Sequence, residues 1–179
     1  MITQQRATHQ TGRHFFCRPH LLLCFWPAII YFYATTSWAQ NNNIRFERVS
    51  EGLSQVSINS CLQDQQGFLW FGTLDGLNRY DGYQFKVFRH DPDNPLSLSN
   101  NTIDVLFEDS LGFMWVGTGG GLNRFNAKHD TFERFVHDPD NPHSLSHNSI
   151  SAIVEDPQGI IWIGTRGGGL NRFDHHSGI

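Results

Sequence analysis

The chain has 179 residues, and its charge differs sharply between its first 39 residues and the rest. Residues 1–39 hold three arginines and no acidic residue, which leaves 13 − 3 = 10 lysines and arginines against 17 acidic residues in residues 40–179. The resulting charge of 10 − 17 = −7 disfavours partners that need a cationic surface, namely nucleic acids and anionic lipids. Of three cysteines only Cys61 lies beyond residue 39, so this chain has no disulfide framework.

The first 39 residues have the features of a secretory signal peptide. Arginines are spread along the first half, an uncharged and mainly apolar run follows from Leu21 to Ala39, and small residues flank Trp38 at its end. We predict cleavage after Ala39 and an exported, periplasmic product. The alternative is an uncleaved anchor, because the 39 − 21 + 1 = 19 residues of this run fall within the roughly 17–25 that span a bilayer.

Beyond this leader, one stretch of sequence occurs three times. Each copy has Trp-x-Gly-Thr, then a short loop rich in glycine, then Gly-Leu-Asn-Arg. The tryptophans are Trp70, Trp115 and Trp162, and they are 115 − 70 = 45 and 162 − 115 = 47 residues apart. A period in this range indicates a stack or ring of equivalent units.

Each copy predicts four short antiparallel strands. A β-branched and aromatic run precedes Asp64, Asp109 or Asp156, each of which opens an Asp-x-x-Gly turn suited to type I geometry. The strand that carries the tryptophan is apolar on both faces, which indicates a sheet covered on both sides. The glycine beside each tryptophan is expected to leave room for a neighbouring backbone or aromatic ring. A third strand carries Leu-Asn-Arg-aromatic, and a fourth has Phe-x-x-Phe spacing, so we predict an all-β propeller built from four-stranded blades.

The motif Asp-x-x-Gly-x-x-Trp-x-Gly-Thr, followed by Gly-Leu-Asn-Arg-aromatic, resembles the two-component regulator propeller repeat. The connecting His-Asp-Pro-Asp-Asn-Pro at residues 90–95 and 137–142 is also typical of that family. The resemblance covers roughly residues 44–179, whereas the WD40 and kelch repeats fit the sequence less well.

The resemblance implies a layout and a role. Exported sensor blades of this family are typically followed by a β-sandwich repeat, a membrane helix and a cytoplasmic output module such as a histidine kinase or a diguanylate cyclase. It also implies that the blades bind a small molecule, often a carbohydrate fragment. We therefore expect an extracytoplasmic ligand-sensing segment whose parent is anchored in the inner membrane. The alternatives are an exported lyase-like propeller enzyme and a protein-binding scaffold.

The expected organisation is an incomplete propeller. Propellers have about four to eight blades, and this chain encodes about two and a half to three, so we interpret it as an N-terminal fragment without its later blades and signalling modules. Phe46 and Val49 have the spacing of a fourth strand with no earlier strands, and they predict an orphan strand. The uncovered blade faces are expected to limit solubility. The boundaries are 1–39 for the signal peptide, 40–55 for the N-terminal strand and lead-in, 56–100 and 101–147 for two repeats, and 148–179 for a truncated third.

Candidate site residues are few. No catalytic motif, metal-ligand spacing or cofactor fingerprint occurs, so we expect no enzymatic activity, metal or cofactor in this chain. Because a ligand site is usually asymmetric, non-repeated residues are the better candidates, and Asp75 and Arg166 in the loops after Gly-Thr are predicted to bind the ligand. Cys61 occupies the position of Leu106 and Ile153 and is expected to be a small buried hydrophobic residue.

A recurring arginine is expected to act between blades. Arg79, Arg124 and Arg172 follow the same Leu-Asn pair in each repeat. We predict that they bind carbonyl groups or an aspartate of the neighbouring blade.

Overall fold

The computed structural model describes residues 44–175, which form strands and loops without a helix. The predicted signal peptide, residues 1–39, lies outside the described residues. The chain divides into two compact units, Met1–Arg45 and Phe46–Ile179, and every described strand belongs to the second. The strands are β1 (Ile58–Gln63), β2 (Leu69–Thr73), β3 (Gly76–Tyr80), β4 (Phe85–Phe88), β5 (Ile103–Glu108), β6 (Met114–Thr118), β7 (Gly121–Asn126), β8 (Thr131–Phe135), β9 (Ile150–Glu155), β10 (Ile160–Thr165) and β11 (Gly169–Asp174).

The strands form three antiparallel sheets that confirm the propeller-blade prediction. Blade 1 has the order β1-β2-β3-β4, blade 2 has β5-β6-β7-β8, and blade 3 has β9-β10-β11 within the described residues. The register repeats, because each tryptophan lies opposite the recurring arginine, as Trp115 lies opposite Arg124. The first strands pack side by side, since β5 contacts both β1 and β9. No helix in residues 44–175 has the length and apolar character needed to cross a membrane.

The hydrophobic core lies between blades rather than within them. One buried cluster joins blades 1 and 2 and contains Trp70, Ile103 and Met114, and a second joins blades 2 and 3 and contains Trp115 and Ile150. All five residues of β6 are buried, whereas β2 has an exposed Leu69 beside a half-buried Phe71, and in β10 only Ile161 and Ile163 are buried. A strand of blade 2 is therefore covered on both sides, as the doubly apolar pattern predicts.

Glycine beside the tryptophan makes the close approach of two blades possible. A Cβ placed on Gly72 would lie 2.7 Å from Cγ2 of Ile103, and one placed on Gly117 would lie 2.7 Å from Cγ2 of Ile150. The space predicted for a backbone or a ring is thus filled by the first isoleucine of the next blade. A Cβ placed on Gly164 in blade 3 would have Ala152 of its own blade as its nearest neighbour, at 3.4 Å.

Two sequence predictions differ from the structure. The N-terminal strand expected within residues 40–55 is not formed in residues 44–50, because no described sheet pairs with this segment. Phe46 is 93% exposed there. Cys61 is exposed instead of buried. Leu106 and Ile153 at the same position face the preceding blade, whereas the described residues place no blade on that side of blade 1.

Replacement of Gly117 by alanine tests the packing between blades 2 and 3. The added Cβ would meet Val105 at 2.5 Å and Ile150 at 2.7 Å, and overpacking of this kind typically costs about 1–3 kcal/mol. We expect thermal unfolding to shift to lower temperature. Gly119→Ala is the matched control, because a Cβ at Gly119 would meet nothing within 4 Å. Equal melting temperatures for the two variants would contradict the proposed close packing.

Candidate functional site

The turn aspartate of each blade has a structural role. In blade 2 one carboxylate oxygen of Asp109 accepts hydrogen bonds from the backbone N–H groups of Leu111 and Phe113, and the other accepts the Trp115 Nε1–H at 2.7 Å. Asp64 and Asp156 make the equivalent bonds to their own tryptophans. In blade 3 the bond from Trp162 lowers the pKa of Asp156 below its usual value. These aspartates hold the tryptophan ring against the sheet and are therefore not ligand candidates.

The loop after each Trp strand is braced by a polar network, which is buried in blades 1 and 2 and exposed in blade 3. In blade 2 the Asn123 amide oxygen accepts the Ser99 N–H at 2.9 Å, and the Ser99 and Thr118 hydroxyls lie 2.9 Å apart. Thr118 also donates to the Gly121 carbonyl and accepts the Gly120 N–H. These bonds join the β6–β7 loop to the linker that precedes blade 2. We call this end of the blades the loop edge. It consists of the β2–β3, β6–β7 and β10–β11 loops and the linkers beside them.

Both predicted ligand residues lie at the loop edge, in different blades. Asp75, in the β2–β3 loop, pairs with Arg89 at 3.1 Å, and both side chains are about half exposed. Arg166, in the β10–β11 loop, lies 3.6 Å from Asp104 of blade 2, with 65% of its side chain exposed. No hydrogen bond or ion pair joins Asp75 to Arg166 in the part of the chain that the structure describes. Each therefore offers an exposed charged group already oriented by a partner.

The recurring arginine acts between blades at one position of three. Arg79 reaches Asp130 of blade 2 at 3.2 Å, as predicted. Arg124 instead pairs with Glu133 of its own blade at 2.6 Å, and Arg172 lies 3.7 Å from Asp174 of its own blade. The prediction is wrong for these two. For Arg124, one reason is that the residue equivalent to Asp130 in blade 3 is a glycine, Gly178, so blade 3 has no carboxylate at that position.

Histidines in the linkers also have structural partners. The Nδ1 atoms of His90 and His137 lie 2.6 Å from the carbonyl oxygens of Leu98 and Leu145, respectively. Among residues 44–175 no three His, Cys, Asp or Glu side chains come together as a metal-binding group. The equivalence of the two histidines follows from the repeated linker.

Sequence reasoning missed a cavity between blades 2 and 3. It has a volume of about 490 Å³ and is lined by the second linker and the third strand of blade 3, including Asn141, Ser144, Leu145, Arg172 and Phe173. The repeated linker was visible in the sequence, but the empty volume depends on which strands pack against it.

The matches to known proteins fall in the same three blades. The family model for the two component regulator propeller matches residues 52–75, 97–120 and 144–167, each from the lead-in of a blade to its Trp-strand loop. The chain belongs to the two-component regulator propeller family. Each matched segment contains the first two strands of one blade.

Relatives of this family member occur in signalling proteins. This chain is 44% identical over 70 residues to histidine kinase P4 of Formosa agariphila. The matched residues cover 38% of this chain and 5% of that protein. The chain also resembles the extracellular domain of BT3049, assigned to a hybrid two component system of B. thetaiotaomicron, with 30% identity and a TM-score of 0.69 over 74% of this chain and 19% of the other.

A second solved structure gives the same result. The extracellular domain of BT4673 from B. thetaiotaomicron matches with 30% identity and a TM-score of 0.58, over 68% of this chain and 17% of the other. The chain thus spans about a fifth or less of the length of these relatives.

The Arg79–Asp130 contact predicts a pH-dependent stability. The hydrogen bond from Lys86 and the charge of Arg79 lower the pKa of Asp130 below its usual value, against an opposing effect of burial. Stabilisation is therefore complete above the unfolded pKa of about 3.9 and disappears as the pH falls through the lower folded pKa. Because the pair is partly exposed, Asp130→Asn should cost about 0.5–1 kcal/mol at pH 7.

Thermal unfolding from pH 7 to pH 2 tests this prediction. The difference between wild type and Asp130→Asn should shrink toward zero at the acid end of the series. Asp93→Asn, in an exposed linker position, is the control and should match wild type throughout. A difference that stays constant with pH would show that the ion pair does not contribute.

Proposed function

We propose that these blades are a ligand-sensing segment of the extracytoplasmic domain of a two-component signalling protein. The single observation that carries the proposal is the match of three consecutive blades to the extracellular domain of a hybrid two component system, with a TM-score of 0.69. Membership of the family and the histidine kinase relative support the same role. In the whole protein, ligand binding by the blades would regulate a kinase-type output across the inner membrane.

The loop edge is the proposed ligand surface. Residues that recur in all three blades are bonded within or between blades, so their side chains already have structural partners. Asp75 and Arg166 stand at positions that differ from blade to blade. The exposed fraction of the side chain is 45% for Asp75 and 65% for Arg166. A carboxylate and a guanidinium group offer acceptors and donors that suit sugar hydroxyl groups. A small molecule, with carbohydrate fragments as the first class, is therefore the proposed ligand.

Ligand binding can be tested with the full chain and a panel of neutral and acidic oligosaccharides. Isothermal titration should identify a binder, and Asp75→Ala and Arg166→Ala should each weaken its binding about tenfold, because each removes a charged hydrogen-bonding group. Asp93→Ala is the control for a change of surface charge. Absence of any oligosaccharide binder would remove the carbohydrate assignment. Unchanged affinity in both variants would remove the two residues from the site.

Export can be tested separately by expression of the full gene product in a Gram-negative host. N-terminal sequencing of the periplasmic fraction should begin at Gln40, since cleavage is predicted after Ala39. Ala39→Arg should block cleavage and retain the leader, whereas Asn42→Ala should not. Accumulation of the uncleaved wild-type chain in the cytoplasm would contradict the proposed location.

A further inference from the structure

The second residue of each first strand lies near the loop edge and differs from blade to blade. These residues are Asn59 in β1, Asp104 in β5 and Ser151 in β9. Asn59 donates its side-chain amide to the carbonyl oxygen of Ile103 in blade 2 at 2.9 Å, and Ser151 donates its hydroxyl group to the Gly164 carbonyl at 3.2 Å. In blades 1 and 3 this position therefore supplies a donor to a backbone acceptor.

Asp104 cannot make either of these bonds, because an ionised carboxylate accepts hydrogen bonds and donates none. Among residues 44–175 its carboxylate accepts no hydrogen bond, and its charged partner is Arg166 of blade 3 at 3.6 Å. That distance is longer than the roughly 2.7–2.9 Å of a charge-assisted hydrogen bond. The Asp104 side chain is only 16% exposed. A largely buried carboxylate thus has acceptor sites that no donor in the described residues uses.

The Asp104–Arg166 pair is not part of the repeated framework. Arg166 is the first residue of the β10–β11 loop, and the equivalent residue of the β6–β7 loop is Gly119. The junction of blades 1 and 2 therefore has Asn59 and Gly119 at these positions, and it still forms a closely packed core. An ion pair with a partner as exposed as Arg166 contributes little to stability. The pair is thus an addition at one junction that the packing of blades does not require.

We propose that Asp104 is a ligand-binding residue, and that Asp104 and Arg166 together hold neighbouring hydroxyl groups of an uncharged sugar. The inference rests on the proposed ligand-sensing function and names the chemistry of the ligand at this part of the loop edge. A hydroxyl group both donates and accepts hydrogen bonds. One hydroxyl group donates to the Asp104 carboxylate, while its neighbour on the same ring accepts from the Arg166 guanidinium group.

The charges around the pair favour an uncharged ligand over an acidic one. Asp104 already balances Arg166, and Asp75 in the β2–β3 loop is paired with Arg89 at 3.1 Å. Residues 40–179 carry a net charge of 10 − 17 = −7. The carboxylate of an acidic sugar would compete with Asp104 for Arg166 and lie close to a like charge in a partly buried place, where repulsion is stronger than in water. The same residue therefore binds a neutral sugar and rejects an acidic one.

Isothermal titration of the full chain with matched sugars tests this inference. The probes are oligosaccharides of glucose, galactose and mannose, each beside the oligosaccharide of the corresponding uronic acid, which differs by a carboxylate on each ring. Wild type should bind a neutral member about tenfold or more tightly than its acidic counterpart, because a buried like-charge contact opposes the acidic sugar. Both members of a pair otherwise offer the same ring hydroxyl groups.

Asp104→Asn should reverse this preference. Blade 1 has an asparagine at the equivalent position, Asn59, so the variant should fold and keep the melting temperature of wild type. It should weaken binding of the neutral sugar and strengthen binding of the acidic one, each about tenfold, because it removes a charged acceptor and frees Arg166 for a carboxylate. Asp93→Asn is the matched control, since it changes the net charge equally at an exposed linker position. It should keep the preference of wild type.

The outcomes separate this inference from the sensing function on which it rests. The same ratio of neutral to acidic affinity in wild type, Asp104→Asn and Asp93→Asn would overturn the role of Asp104 and leave the sensing function in place. A wild type that prefers the acidic member of a pair would overturn the assignment to uncharged sugars. Binding of no sugar in the panel would overturn carbohydrate sensing and this inference together.

Discussion

Each blade of this protein is a sheet with two apolar faces, and that constraint governs the rest of the structure. A sheet of four short strands cannot cover its own faces, so the buried residues lie between blades. The contact is specific because a large tryptophan and a small glycine alternate on the same face. The ring of Trp115 packs on blade 3 while Gly117 admits Ile150. The polar groups are confined to turns and loop ends, where aspartate, threonine and asparagine satisfy the backbone.

The residues that hold the blades together are therefore different from the residues proposed to bind a ligand. Asn123 and Asp109 are buried and polar, a combination that often marks a functional site, but their side chains bind the linker, the turn and the tryptophan of their own repeat. These bonds occur in each copy. Asp109 additionally lies 3.0 Å from Nε2 of His175, the residue after β11. Residues that vary in the Trp-strand loops are free of this requirement, and Asp75 and Arg166 are the charged residues of those loops. A repeat protein can thus alter its ligand without altering its fold.

Much of the fold was predictable from the sequence because turn chemistry and strand patterns repeat. The Asp-x-x-Gly turns and the Gly-Leu-Asn-Arg strands lie within a residue or two of their predicted positions. Burial at the outer blades was not predictable by analogy with the middle blade. Cys61 was assigned by its position in the repeat, yet its environment depends on a neighbour that blade 1 does not have in the described residues. The partner of Arg124 was missed for the same reason, since it depends on a neighbouring residue that is not an acid.

Hydrogen exchange of the Trp strands is the most direct test of this account. Strands β2, β6 and β10 each lie between two neighbours in their sheets, so their backbone hydrogen bonding is alike and only the covering of their faces differs. The amides of β6 should exchange slowest, because its residues are buried on both sides. Equal exchange rates in the three strands, or slower exchange in β2 or β10, would contradict the claim that contact between blades stabilises this fold.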